Sequence, residues 1–190
     1  MKRFILILSL LASTAMAAVA QDTGRAARRQ AAEDKAMAKR LEQLRDSLEY
    51  AEAMRAIDSM DFVFEADMLV FKRGGTARVY SNLNFVSVEG DQAMVQVSPI
   101  TSGGGQNGVG GVTVDGRIIN VERRVDKRGN TTLSINVMGR AISATVVLSI
   151  PEGSHNASVR ISPTLNSNTI TLYGKVVPRE QSNIFEGIRL

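Results

Sequence analysis

The sequence predicts a mainly β protein. The expected body is an antiparallel meander of about nine or ten strands forming a barrel or sandwich, a lipocalin-like barrel among the options, preceded by an N-terminal α-helix and a signal peptide. Three observations carry this. From Phe62 to Val177 the chain is a succession of five- to ten-residue runs in which apolar and polar residues alternate. Short Gly-, Asp- and Asn-rich turns separate the runs. The stretch before Phe62 has the opposite texture: it is rich in Ala, Glu, Arg, Lys and Leu and contains no proline. An open sheet of nine or ten strands tends to curl or split into layers, which favours a barrel or a sandwich.

In chain order, "MKRFILILSLLASTAMAAVAQ" opens the sequence. Lys2 and Arg3 precede an apolar run, Phe4 to Leu11, broken only by Ser9, and small-x-small triplets follow at Ala15–Ala17 and Ala18–Ala20. This is the pattern of a secretory signal peptide over residues 1–20, cleaved near Ala17 or Ala20. The run is shorter than the ~20 residues a helix needs to cross a bilayer, so no membrane span is expected in the mature chain. The chain has no cysteine, which excludes a lipoprotein anchor and a disulfide framework. The expected location is periplasmic or secreted.

Residues 21–60 read as a helical leader. Leu41, Leu44, Leu48, Ala51 and Met54 trace an apolar stripe at helical spacing, with Glu42–Arg45 and Glu52–Arg55 as favourable i, i+3 pairs. The thinner first half, with Arg25, Arg28 and Arg29, reads as a solvated segment.

Residues 61–190 form the β domain. "FVFEADMLVF" sets Phe62, Phe64, Ala66 and Met68 on one face. After a Lys72–Gly75 turn, "ARVYS" is a short strand, and "NLNFVSVEGDQAMVQVSP" is a hairpin about Gly90-Asp91. Asp115-Gly116, between β-rich runs, predicts another hairpin. "TLSINV" and "AISATVVLSI" alternate cleanly, with Ile142, Ala144, Val146, Leu148 and Ile150 on one face and Ser143, Thr145 and Ser149 opposite. "ASVRIS" and "TITLYGKVV" close the series.

Chemistry is sparse. Gly103, Gly105 and Gly108 in "TSGGGQNGVGG" match G-x-G-x-x-G. A strand pattern follows them, so no helix N-terminus is available for a pyrophosphate, and no Gly-Lys-Ser/Thr is present. The segment Gly103, Gly104, Gly105, Gln106, Asn107 and Gly108 reads instead as a flexible strand connection or as a loop that closes over a ligand cavity, with Glu65 and Asp67 as further candidate ligand contacts. The i, i+2 spacing of Glu65 and Asp67 places them about 7 Å apart on one strand face, a separation resembling the carboxylate pair of inverting glycosidases. Val63, Leu69 and Phe71 share that face, and the chain is only 5% aromatic, which points away from a hydrolase. His155, the only histidine, falls in the turn "PEGSHN" and reads as an exposed turn residue. One His and no Cys argue against a metal site, and no cofactor is expected. Without Lys2 and Arg3 the chain carries 21 basic and 19 acidic residues, interspersed and without tryptophan, which argues against nucleic acid.

The segments "FVFEADMLVF", "NFVSVEGDQAMVQVS", "GQNGVGGVTVDGRI", "GNTTLSINVMG" and "SNIFEGIRL" together resemble a domain-of-unknown-function family of secreted β-rich proteins from Gram-negative gut anaerobes, over about residues 61–189. The resemblance implies an exported protein with a helical leader and a β-rich body, and brings no activity. The reading is a non-enzymatic binding protein for a small apolar or amphipathic ligand. An envelope structural or protein-interaction module is the alternative, and a hydrolase using Glu65 and Asp67 the third.

Overall fold

A computed structural model describes residues 2–70, 74–98, 112–140, 142–164 and 169–184; for residues 2–27 and 112 it describes the backbone alone. The chain divides into two compact units, Met1–Arg45 and Asp46–Leu190. The first is part of a long helix, α1 (Lys2–Asp58), whose last turns belong to the second.

The second unit is an antiparallel barrel. The strands are β1 (Asp61–Val70), β2 (Thr76–Arg78), β3 (Phe85–Glu89), β4 (Gln92–Val97), β5 (Val112–Val125), β6 (Thr131–Gly139), β7 (Ser143–Ile150), β8 (Asn156–Pro163) and β9 (Ile170–Pro178). Their order is β2-β1-β3-β4-β5-β6-β7-β8-β9, and β1 also pairs with β9. That last pairing closes eight strands into a ring and leaves β2 as an extra strand outside it. The barrel is thus realised rather than the sandwich, with nine strands among the described residues.

Alternation sets the two faces. Phe62, Phe64 and Ala66 of β1, Val86 and Val88 of β3, Leu133, Ile135 and Val137 of β6, and Ala144, Val146, Leu148 and Ile150 of β7 all point inward. With Val159 and Ile161 of β8 and Leu172 and Val176 of β9 they form one contiguous apolar cluster. Phe62 and Phe64 are 1% and 0% exposed, so the barrel axis is filled by side chains. At roughly 1.5–3 kcal/mol per fully buried large apolar side chain, this cluster is the main source of stability.

β1 is shared between neighbours. Asp61–Glu65 pair with β3, and Met68–Val70 pair with β2. The switch coincides with a bulge between Ala66 and Met68 in the β1–β9 ladder. There Ala66 N–H donates to the Asn84 carbonyl and Val79 N–H to that of Asp67. The backbones nearly touch at this seam: a Cβ on Gly174 would lie 1.9 Å from the Glu65 carbonyl oxygen.

The helix meets the barrel through small residues. Ala53, Ala56 and Ile57 are buried in the core cluster, with Tyr50 and Met54 packed against it. The stripe read from spacing is not the buried one: Leu41, Leu44 and Leu48 are 60%, 62% and 65% exposed. Alanines let the helix backbone come close to the sheet, which the last three turns, from Glu49 on, reach. Met60, at φ +53, then reverses the chain into β1, with Ser59 N–H on the Arg55 carbonyl and Met60 N–H on that of Ile57.

The Asp115-Gly116 hairpin expected from sequence does not form; β5 runs unbroken through it. Gly116 pairs with Ala93 on one side and Gly139 on the other. A Cβ there would lie 2.2 Å from the Met138 carbonyl oxygen, so the glycine serves close strand approach and not a turn. The Gly90, Gly129 and Gly153 turns do form, all at positive φ.

Candidate functional site

Most outward residues of β6 to β9 are polar, Met138, Val147 and Val177 being the exceptions. Register places Thr132 opposite Ser149, Ser149 opposite Ser158, and Ser158 opposite Tyr173. These four residues form one row across four strands whose backbones lie about 4.8 Å apart. Their inward neighbours Thr131, Ile150, Ala157 and Leu172 are buried, which confirms the face.

A cleft with a volume of about 500 Å³ opens on this row. Ligand pockets generally run from about 300 to 1,000 Å³. The β7–β8 ladder ends at Ser149–Ser158, whereas β7 stays paired with β6 to Ile150 and β8 with β9 to Asn156. The cleft opens where β7 and β8 part around Pro151. It is lined by the polar Asn130, Thr132, Ser149, Asn156, Ser158 and Tyr173 together with Thr131, Ile150, Pro151 and Ala157 at the parting of the strands, with no charged residue. Tyr173 is 44% exposed. Among the described residues, the hydroxyls of Thr132, Ser149, Ser158 and Tyr173 have no partner within the chain.

The rim is held by a turn. Asp126 accepts hydrogen bonds from the Arg128 and Asn130 backbone N–H groups at 2.8 and 2.9 Å, and from the Asn130 side-chain amide at 2.8 Å. Asn130 Oδ1 in turn accepts the Glu152 N–H at 3.1 Å, tying the β6 entrance to the β7–β8 turn. The Asn130 side-chain bond, with the two backbone donors adding to it, holds the Asp126 carboxyl below its ordinary value.

The residues singled out from sequence lie elsewhere. Gly103, Gly104, Gly105, Gln106, Asn107 and Gly108 fall outside the described residues. Glu65 is on the outer wall of β1, its side chain 12% exposed, with Oε2 3.6 Å from Lys175 Nζ and Oε1 accepting a 2.7 Å hydrogen bond from Ser182. Asp67 sits exposed at the bulge. The two carboxylates therefore stand in different surroundings, one covered by the C-terminal segment and one open to water. His155 is not the exposed turn residue expected. It is 18% exposed at its side chain, with Nδ1 3.2 Å from Glu49 of the helix.

The C-terminal segment makes a second built feature. Arg179 reaches Glu89 at 3.1 Å and Ser87 at 3.2 Å, and Gln181 reaches Glu52 at 3.3 Å. Ile184 packs on an outer-wall apolar group, Val63, Phe85 and Met94. Among the described residues no cluster of acidic and histidine side chains is placed to hold a metal, and no helix is long and apolar enough to cross a membrane.

Residues 44–176 match the family model described as a domain of unknown function, DUF4251. The chain belongs to the DUF4251 family. It is similar to a crystal structure, at 1.95 Å resolution, of a DUF4251 family protein from Bacteroides eggerthii DSM 20697. The two are 44% identical with a TM-score of 0.70, over 78% of this chain and 99% of that one. No curated protein matches. The DUF4251 match spans β1 to β8, most of β9 and the barrel-facing end of α1, and so takes in both the hydroxyl row and the Glu65 contact with Lys175.

Sequence reasoning missed the hydroxyl row. Ser149 was visible as an outward residue of its own strand. What aligns it with Thr132, Ser158 and Tyr173 is register between strands up to 41 positions apart, which no single run encodes.

Proposed function

We propose that this protein is an exported, non-enzymatic binding protein of the cell envelope that meets its ligand on the outer wall of the barrel. The observation that carries this reading is the contrast between interior and wall. Inward side chains fill the barrel around Phe62 and Phe64, whereas the 500 Å³ cleft opens outward over β6–β9. That contrast moves the ligand away from an apolar interior cavity. The signal-peptide pattern of residues 1–20 supports export. Engagement of Glu65 by Ser182 and Lys175 supports a structural role for that carboxylate.

Hydrogen-exchange mass spectrometry of the full chain, with and without soluble envelope extract of its host, tests the reading. Protection is expected in 130–132, 149–158 and around Tyr173. Uniform exchange with and without extract, or protection confined to the inward core strands, would overturn it.

A second reading, an interaction module acting through α1, is favoured by Met37, Leu41, Leu44 and Leu48. They recur at 4-3-4 spacing and are 60–65% exposed. Protection confined to that stretch in the same experiment would replace the outer-wall reading with this one.

A further inference from the structure

We infer that the outer-wall cleft binds a neutral saccharide unit, stacked on the ring of Tyr173 and hydrogen-bonded by the row Thr132–Ser149–Ser158; this rests on the outer-wall reading above. The lining chemistry selects the ligand class. No charged side chain lines the cleft, so there is no counter-charge for a phosphate, a carboxylate or an ammonium group. Ile150, Pro151 and Ala157 also line the cleft, so it offers apolar surface beside the hydroxyls, the mix that a sugar's C–H and O–H groups match.

A peptide added as a strand needs a free edge. Along this row β6 is paired with β5 and β7, and β9 with β8 and β1. Only Ile150 and Asn156–Ala157, where β7 and β8 part, lack a strand partner on one side, too short an edge for an added strand, so recognition falls to side chains. These are hydroxyls that both donate and accept, amides at Asn130 and Asn156, and one half-exposed aromatic ring. Asn130 already spends its amide on Asp126 and its carbonyl on Glu152, so it shapes the rim while Asn156 faces the ligand.

A pyranose fits this set. Its hydroxyls exchange hydrogen bonds with Ser and Thr, and its C–H face lies on an aromatic ring. Hydroxyl-bearing residues on neighbouring strands, whose backbones lie about 4.8 Å apart, can follow successive hydroxyl groups of one or two linked sugars. Among the described residues the three Ser/Thr hydroxyls have no partner, so a ligand displaces only water from them.

The test is two-dimensional ¹H–¹⁵N NMR of the full chain titrated with cellohexaose, maltohexaose, mannohexaose and chitohexaose at millimolar concentration, then with host envelope extract. At least one oligosaccharide is expected to shift the amides of Thr132, Ser149, Ser158 and Tyr173 in a saturable way. Tyr173→Ala should weaken that binding by about five- to tenfold, the worth of one aromatic face. Thr132→Val should weaken it with the ring intact, so a loss of fold in one variant does not decide the matter. Absence of shifts with all four sugars, or binding unchanged in both variants, overturns the inference. If extract still shifts the cleft amides in that case, the saccharide is wrong and the outer-wall reading stands.

Discussion

The carboxylate of Glu65 accepts a 2.7 Å hydrogen bond from the hydroxyl of Ser182, 117 positions further along the chain. The bond joins the first barrel strand to the segment after the last one. Beside it Ile184 covers Val63, Phe85 and Met94, an apolar group on the otherwise outer wall. Glu65 is a clamp for the C-terminus, and its low exposure follows from that cover. Ser182→Ala should therefore destabilise by about 1.5–3 kcal/mol, the range for a hydrogen bond to a charged group. For a domain of this size the melting temperature should fall by about 2–4 °C per kcal/mol, read by calorimetry. Glu65→Gln keeps an acceptor and should cost less; a loss equal to that of Ser182→Ala would contradict the geometry.

Gly174 faces the Glu65 carbonyl across the closing seam, with no room for a Cβ. Gly174→Ala must push β9 away from β1 and should cost about 1–3 kcal/mol, as overpacking does. Urea denaturation measures this, and hydrogen exchange should show faster opening of the β1–β9 ladder than of β6–β7.

Ala53 is fully buried where the helix meets the barrel, whereas Leu44 is 62% exposed. Ala53→Leu is expected to destabilise by about 1–3 kcal/mol through overpacking. Leu44→Ser should stay within about 0.5 kcal/mol in thermal unfolding, as exposed substitutions do. The opposite order would mean that the helix packs through its leucine stripe.

Asp126 is held below its ordinary value of 3.8 by the Asn130 side chain first and by the two backbone donors with it. A carboxyl depressed in the folded state stabilises fully above its unfolded value and loses that stabilisation as pH falls through the folded one. The stability advantage of the native protein over Asp126→Asn should thus be constant near neutrality and shrink below about pH 4. Carbon-detected NMR titration of Asp126, and its rise toward the ordinary value in Asn130→Ala, check the cause.

Strand succession, most turn positions and most inward faces were legible because each is written locally; past the Ala66–Met68 bulge of β1 the core face passes to Leu69, which alternation puts beside Glu65 and Asp67. Ile142 to Ile150 alternate over one strand, and Gly90, Gly129 and Gly153 mark turns by the left-handed backbone they allow. Asp115-Gly116 misled because the same glycine serves a turn and a close strand approach, and only the facing Met138 carbonyl distinguishes them. His155 was misplaced because Glu49 belongs to a distant helix.

By itself the sequence determined the β-rich body and the helix before it, since both rest on periodicity and residue type within short stretches; the family rests on the likeness of whole segments. Tertiary structure alone decided that the sheet closes through β1 and β9, that Glu65 meets Ser182, and that hydroxyls from four strands form one row beside Tyr173. Those relations depend on register, and register is fixed by how all the strands together bury one shared core, a property no single segment carries.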